Sequence, residues 1–397
     1  MSSVAINSAA ASTSTTDACV MIDARYLNGS HSGIGRYTEQ LIRHLVALDD
    51  TLRLRLITDP RRPRPMRHER IDHQTFWAAP NSLSTRHLLA RRIDFSGVDL
   101  FHSPFNILPA GLPVPAVFTL HDIMWLLDPG LCTSKQWKRW VTGSFYRTFI
   151  PHSAREAAAI LTVSEHSRGD IEAWFPEVKG RVAVSPNGIS NDFRPVPPAR
   201  GWPLINQWLP PRSRFALIVG QGTPYKNHAG ALRAFVEALA DDPDTYFVMV
   251  RRLHGRGDAE LKELMADPRL NSRVIPLNYV SFEQLQALYS LATAFLFPSL
   301  YEGFGLPALE AMACGTAVVA SDRGAPAEVC GDGAVLVDPD DTDQMAHALR
   351  RLFYDDEYRH QVEARGLRRA GSFRWENTAR EALNLYRRVL SWDEHRR

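Results

Sequence analysis

Cysteine is scarce in this sequence. The 397 residues hold four, Cys19, Cys132, Cys314 and Cys330, with no C-x-x-C pair and no metal-ligand spacing. That pattern argues against a disulfide framework and suits a reduced, cytoplasmic chain. Long apolar runs are lacking too. None approaches the roughly 20 residues that span a bilayer, so any membrane contact is expected to be peripheral. The first residues, "MSSVAINSAAASTSTTDA", carry no basic side chain, and none occurs before Arg25. They lack the charged region and apolar core of a secretory signal, and residues 1–18 read as a disordered tail. Net charge is only +2, which argues against nucleic acid as a partner. The charge is unevenly placed: residues 1–200 carry 23 Lys/Arg against 18 Asp/Glu, and residues 201–397 carry 23 against 26. A mildly basic first half suits an anionic ligand or surface there.

What is present is an alternation of short apolar runs and helix-period segments. "CVMID" reads as a strand, and "GIGRYTEQLIRHLVAL" as a helix with Ile34, Tyr37, Leu41 and Leu45 on one face. Strands follow at "LRLRLI", "VDLFH" and "PAVFTL", then a helical stretch around 134–158, then "AAILTV", a helix over 165–174 and "RVAVS". This order predicts a parallel sheet covered on both faces. Residues 186–213 break the rhythm with seven prolines and two glycines in 28 positions, and read as a linker. Six more strands then alternate with helices, from "RFALIVG" to "AVLVD". The length suits two domains. They are expected at 19–200 and 201–378, with a last helix at 379–397 as a candidate to cross back to the first. Two doubly wound domains place a ligand cleft between them, at the C-terminal ends of their strands.

The stretch "PSLYEGFGLPALEAMACGTAVVAS", residues 298–321, carries the chemistry. A helix is expected to begin at Pro307, whose fixed φ suits a first turn. "GFGL", residues 303–306, is then a strand-to-helix turn whose N–H groups suit phosphate. Glu310, expected on the first helical turn, has the acceptors for a ribose diol. Glu302, in the loop, suits sugar hydroxyls. The alternative is two ordinary acids, one solvated and one favouring a helix start.

This stretch resembles the E-x7-E signature of the retaining glycosyltransferases of family 4, which have the GT-B fold. Further likenesses lie in "VGQGTPYKN", in "VSEHSRGDI" with "VAVSPNGI", in "DARYLNGSHSGIGRY" and in "VFTLHDIMW". The resemblance implies an α/β protein of two Rossmann-like domains facing a cleft. It implies that Glu310 holds the donor ribose. Glu302, with Gly303 and the backbone around Phe304, Gly305 and Leu306, would hold the donor sugar. Lys226, in the loop that opens at Gly220, would neutralise the diphosphate, and His121 would sit near the reaction centre. Gly33 and Gly35 would line an N-terminal loop facing phosphates or acceptor. Many relatives place an arginine directly after the loop glycine, where this chain has Gln221. Arg251 and Arg252, after the next strand, are candidates to compensate; the alternative is that both are solvated and helix-start N–H groups suffice.

A departing diphosphate gathers charge in the transition state, so cations and aligned N–H groups are the useful catalysts. No cofactor or metal is expected. The two Asp-Pro-Asp runs, 242–244 and 338–340, read as turns. The N-terminal half is most similar to bacterial mannosyltransferases of surface-polysaccharide assembly. That implies a GDP-mannose donor, with UDP-sugars as the alternative, and a saccharide or lipid-linked acceptor. A glycoside hydrolase needs two acids across a glycosidic bond, whereas here one acid is on a helix beside a phosphate-type loop. Phosphorylases and sugar-nucleotide epimerases share the fold and compete with the transferase reading, as does a non-catalytic sugar-nucleotide-binding subunit. In "SKQWKRWVTGSFYRTFIPHSAR", Lys135, Lys138, Arg139 and Arg147 interleave with Trp137, Trp140, Phe145 and Phe149. That suits docking on the anionic inner face of the cytoplasmic membrane; the alternative is a helix whose aromatics are core.

Overall fold

The computed structural model describes residues 18–27, 33–61, 66–251, 259–270 and 272–394. Strands β1 (Cys19–Asp23), β2 (Arg53–Thr58), β3 (Ile71–Thr75), β4 (Leu100–Ser103), β5 (Ala116–Thr119), β6 (Ala159–Thr162) and β7 (Val182–Val184) form one sheet, in the order β3-β2-β1-β4-β5-β6-β7. Strands β8 (Arg214–Val219), β9 (Thr245–Val250), β10 (Val274–Leu277), β11 (Ala294–Phe297), β12 (Val318–Ser321) and β13 (Val335–Val337) form a second, ordered β10-β9-β8-β11-β12-β13. Every pairing is parallel. Strands buried on both faces read as continuous apolar runs, which is why "AFLF" and "VVA" lie at the centre. In each sheet the strand order reverses once, between β1 and β4 and between β8 and β11. Ligands of open α/β sheets bind at such reversals.

Three local features differ from the sequence reading. Strand β3, "IDHQT", is an edge strand with only Ile71 buried, so it carries no apolar run to signal it. The Leu83–Arg92 helix is likewise polar on most of its surface. The Pro-rich stretch is not linker throughout. Pro198–Ile205 forms a helix with Pro198 at its start, where the missing N–H costs nothing, and Ile205 and Trp202 pack into the second domain's core.

The last helix starts at Trp375 rather than 379 and runs to Glu394. It packs on the first domain. Trp375, Ala379, Leu383, Tyr386 and Val389 share one core with Val20, Ile22, Tyr37, Leu41 and Leu45. Burying each large side chain there contributes about 1.5–3 kcal/mol. Two chain segments therefore cross between the domains, and they are stitched together. Ile189 N–H donates to Phe373 O at 3.0 Å, and Ser185 Oγ donates to Thr378 O at 2.9 Å.

Candidate functional site in the interdomain cleft

The loop after β8 presents Lys226. A 3-10 turn, Pro224–Lys226, is followed by Asn227 at φ 50°, whose side chain caps the next helix by accepting from Gly230 N–H. The tight turn sends Lys226 back over Gly220, where an added Cβ would meet its Cδ at 3.2 Å. Its Nζ lies 4.9 Å from the centre of the Phe297 ring and 2.5 Å from Glu302 Oε1. The two side chains are 8% and 11% exposed, so this is a nearly dry ion pair.

The loop after β11 presents Glu302. Leu300 N–H donates to Tyr225 O at 2.7 Å, tying this loop to the first. Gly305, at φ 121°, turns the chain into the Leu306–Ala313 helix, a conformation that favours glycine. The helix starts at Leu306, one residue before Pro307. Glu310 therefore falls on its second turn, not its first, and is only 5% exposed. Burial pushes its carboxyl upward, opposed by the Arg36 guanidinium and the Tyr289 hydroxyl. Tyr289 donates to Glu310 Oε2 at 3.1 Å, and Arg36, from the first domain, ion-pairs with Oε1.

Opposite these acids, His121 follows β5. Its Nε2 lies 3.2 Å from Pro104 O, so that nitrogen carries the proton and Nδ1 is left to accept. Tyr37 packs edge-on, 4.9 Å between ring centres. Burial lowers the His121 pKa to about 4, so the ring is neutral at pH 7. Next to it, burial raises Asp122 to about 6, with the Glu302 charge adding to the rise.

The two halves touch at Gly303. Its carbonyl accepts from Ser164 Oγ at 2.9 Å and Ser167 Oγ at 3.3 Å. Ser167 Oγ also reaches His121 O at 3.1 Å. Close by, Tyr301 donates to Asp170 Oδ2 at 2.7 Å. The Glu328 carboxylate accepts from the N–H groups of Glu165 and His166, at the start of the Glu165–Trp174 helix.

The structure thus brings Lys226, Glu302, Gly303, Gly305, Leu306, Glu310 and Gly220 together, with His121 across the cleft. Arg251 is buried, its guanidinium against Gly222 of the Lys226 loop, which counts against the alternative that it is solvated. Arg252 lies outside the described residues. Phe304 packs its side chain in the second core, 5.8 Å from Phe373 between ring centres, which leaves only its backbone for the expected role. Gly33 and Gly35 belong to the opening of the Gly33–Leu48 helix rather than to a loop. Sequence reasoning missed Arg36, Tyr289, Ser164 and Ser167. Arg36 carried a signal, lying beside the two glycines already singled out, and Ser164 and Ser167 lay inside the quoted "VSEHSRGDI"; Tyr289 carried none.

Two parallel α/β domains meet here at their strand-order reversals, with paired acids on one side and a neutral histidine on the other. The sucrose-phosphate synthase of Thermosynechococcus elongatus superposes over 94% of this chain and 99% of its own, with a TM-score of 0.71 at 23% identity; the architecture is GT-B. Residues 31–193 match the family profile described as Glycosyltransferase Family 4, and residues 205–369 the one described as Glycosyl transferases group 1. The O-antigen chain mannosyltransferase B of Escherichia coli is 33% identical over 288 residues, 72% of this chain and 74% of that protein. The MMP alpha-(1->4)-mannosyltransferase of Mycolicibacterium hassiacum is 31% identical over 80% of this chain and 78% of its own. The chain belongs to the family 4 glycosyltransferases.

Proposed function

We propose that this glycosyltransferase moves mannose from GDP-mannose, with retention of anomeric configuration, to a saccharide or lipid-linked acceptor of a bacterial surface polysaccharide. The observation that carries the reading is the paired acids, each in contact with a cation at the strand-order reversal. Glu310 takes the ribose diol and Glu302 the sugar hydroxyls. Lys226 and the N–H groups at the start of the Leu306–Ala313 helix offset the charge that grows on the departing diphosphate, so the step requires no divalent ion. Neutral His121 offers a hydrogen bond to the sugar rather than a charge. The names of both relatives favour mannose. A UDP-sugar is the second reading, since nothing in the acid pair distinguishes the base.

The test is to incubate the protein with GDP-mannose or UDP-sugars and an acceptor glycan, with and without chelator. Nucleoside diphosphate should be released, and NMR of the product should show an α linkage from the α donor. An inverted linkage sinks retention, and loss of activity in chelator sinks metal independence. Absence of nucleoside diphosphate with every donor sinks the transferase step.

The membrane reading divides the 134–155 segment. In the Gln136–Glu156 helix, Trp137 and Trp140 are 63% and 80% exposed, beside exposed Val141, Lys135, Lys138 and Arg139. Tyr146 is buried, and Phe145 and Phe149 pack against the core. The outward tryptophans and cations suit an anionic lipid surface, where a lipid-linked acceptor would lie; they support a reading in which the protein works in the cytoplasm, at the inner membrane face. Among the described residues no helix is long and apolar enough to cross a membrane.

A further inference from the structure

Among the described residues, each acid of the proposed donor site is paired with a cation. Lys226 pairs with Glu302 and Arg36 with Glu310. Arg36 comes from the other domain, 274 residues away in sequence, from the opening of the Gly33–Leu48 helix. Its guanidinium lies over the Phe193 ring, 5.3 Å from the centre, so the flat cation has an apolar floor. Its side chain keeps 29% of its exposure, against 7% for Glu310. The cation is therefore more exposed than the carboxylate it pairs with.

That placement conflicts with a ribose diol. Both oxygens of Glu310 are engaged, Oε1 by Arg36 and Oε2 by Tyr289. Two vicinal hydroxyls donating to this carboxylate compete with Arg36 for Oε1. The diphosphate that arrives with the ribose carries about two charges and needs cations in a desolvated cleft, and Lys226 is already shared with Glu302. A planar, weakly hydrated guanidinium is suited to phosphate and remains charged throughout.

We infer that Arg36 is the second diphosphate cation of the donor site. It exchanges partner: ribose hydroxyls take Glu310, and the guanidinium, still resting on Phe193, turns to the phosphates. Binding thereby couples the domains, because the nucleotide replaces one direct bridge between them with another through itself. The inference rests on the reading that Glu310 holds the ribose.

Titration calorimetry with GDP and UDP, and NMR titration with guanosine and uridine, test it on the parent, Arg36→Gln, Arg36→Lys and Glu310→Ala. Arg36→Gln should weaken diphosphate binding about tenfold or more, the scale of one charge-assisted contact. It should leave nucleoside binding unchanged or tighter, since Glu310 is released, and Arg36→Lys should recover part of the loss. Diphosphate binding in Arg36→Gln as tight as in the parent, or tighter, overturns the inference and makes Arg36 a mere competitor. Equal loss of nucleoside and diphosphate, with a lowered melting temperature, overturns it too and assigns Arg36 to structure. If Glu310→Ala binds nucleosides as the parent does, it is the ribose reading that fails.

Discussion

Replacing Gly303 by alanine probes how closely the two domains must meet. A Cβ there would lie 2.4 Å from His121 O, 3.1 Å from its carbonyl carbon and 3.2 Å from Asp122 Cβ. Ordinary C···O contacts are about 3.3–3.6 Å, so the segments must part by about 1 Å. The closest atoms are backbone, so no side-chain rotation relieves the clash. Gly303 is not at positive φ, so alanine meets no left-handed strain there and the effect is chiefly one of fit. Parting the segments stretches the bonds from Ser164 and Ser167 to the Gly303 carbonyl. At about 1 kcal/mol each, the loss is about 2 kcal/mol. A misplacement of about 1 Å between reacting groups costs about a hundredfold in rate. Turnover, followed by nucleoside diphosphate release, should therefore drop about a hundredfold. Diphosphate affinity, which draws on Lys226 and the helix start of the second domain as well as on Arg36 across the cleft, should fall less than turnover. Parent-like turnover together with a parent-like melting temperature would refute the argument, because the close approach would then not exist in the working enzyme.

Lys226→Ala should cut turnover by about two orders of magnitude, the scale of losing one charge-stabilising group, and should lower the melting temperature by stranding Glu302; near-normal turnover removes its role. Acid should weaken the fold in a defined window. Burial lowers His121 to about 4 and His102 and His228 to about 3, while an unfolded imidazole titrates near ~6.5. Between these values the unfolded chain binds more protons, so stability is complete above pH ~6.5 and is lost as pH falls through the window toward 4 and 3. A melting temperature that stays flat between pH 7 and 4 contradicts the buried neutral rings. Neutralising Lys135, Lys138 and Arg139 together should reduce sedimentation with phosphatidylglycerol vesicles, and unchanged sedimentation counts against docking through this helix.

How much of this was legible depended on how far each signal reached along the chain. Strands such as "VVAS" were readable because burial on both faces demands consecutive apolar residues, and β3 was not, because an edge strand makes no such demand. Glu302, Glu310 and Lys226 were legible through local motifs. The geometry around them was less so: the helix start was misplaced by one residue, enough to carry Glu310 from the first turn into the second. Arg36 stood in plain view in "GIGRY", but its partner lies 274 residues away, and no local pattern encodes that distance. The 134–155 helix held its answer in its period. Gly143, Tyr146, Ile150, Ser153 and Ala154 form the buried face, and Trp137 and Trp140 lie off it. Reading the aromatics as one set, rather than by face, left membrane and core as a choice, whereas the helix has one face in the core and another, with Trp137 and Trp140, exposed.

The returning helix also fixes an order of events during synthesis. The second domain is built from a continuous stretch, and its strands are complete once Val337 has emerged. The first domain has its last strand by Val184 but needs Trp375, Leu383 and Tyr386 to cover the helix that bears Leu41 and Leu45. At about 5–20 residues per second, the gap between Val184 and Trp375 lasts roughly 10–40 seconds. Through that interval an apolar stripe on the nascent chain has no native cover. The domain made first is the last to close, and a fragment ending before Trp375 keeps that stripe open for good.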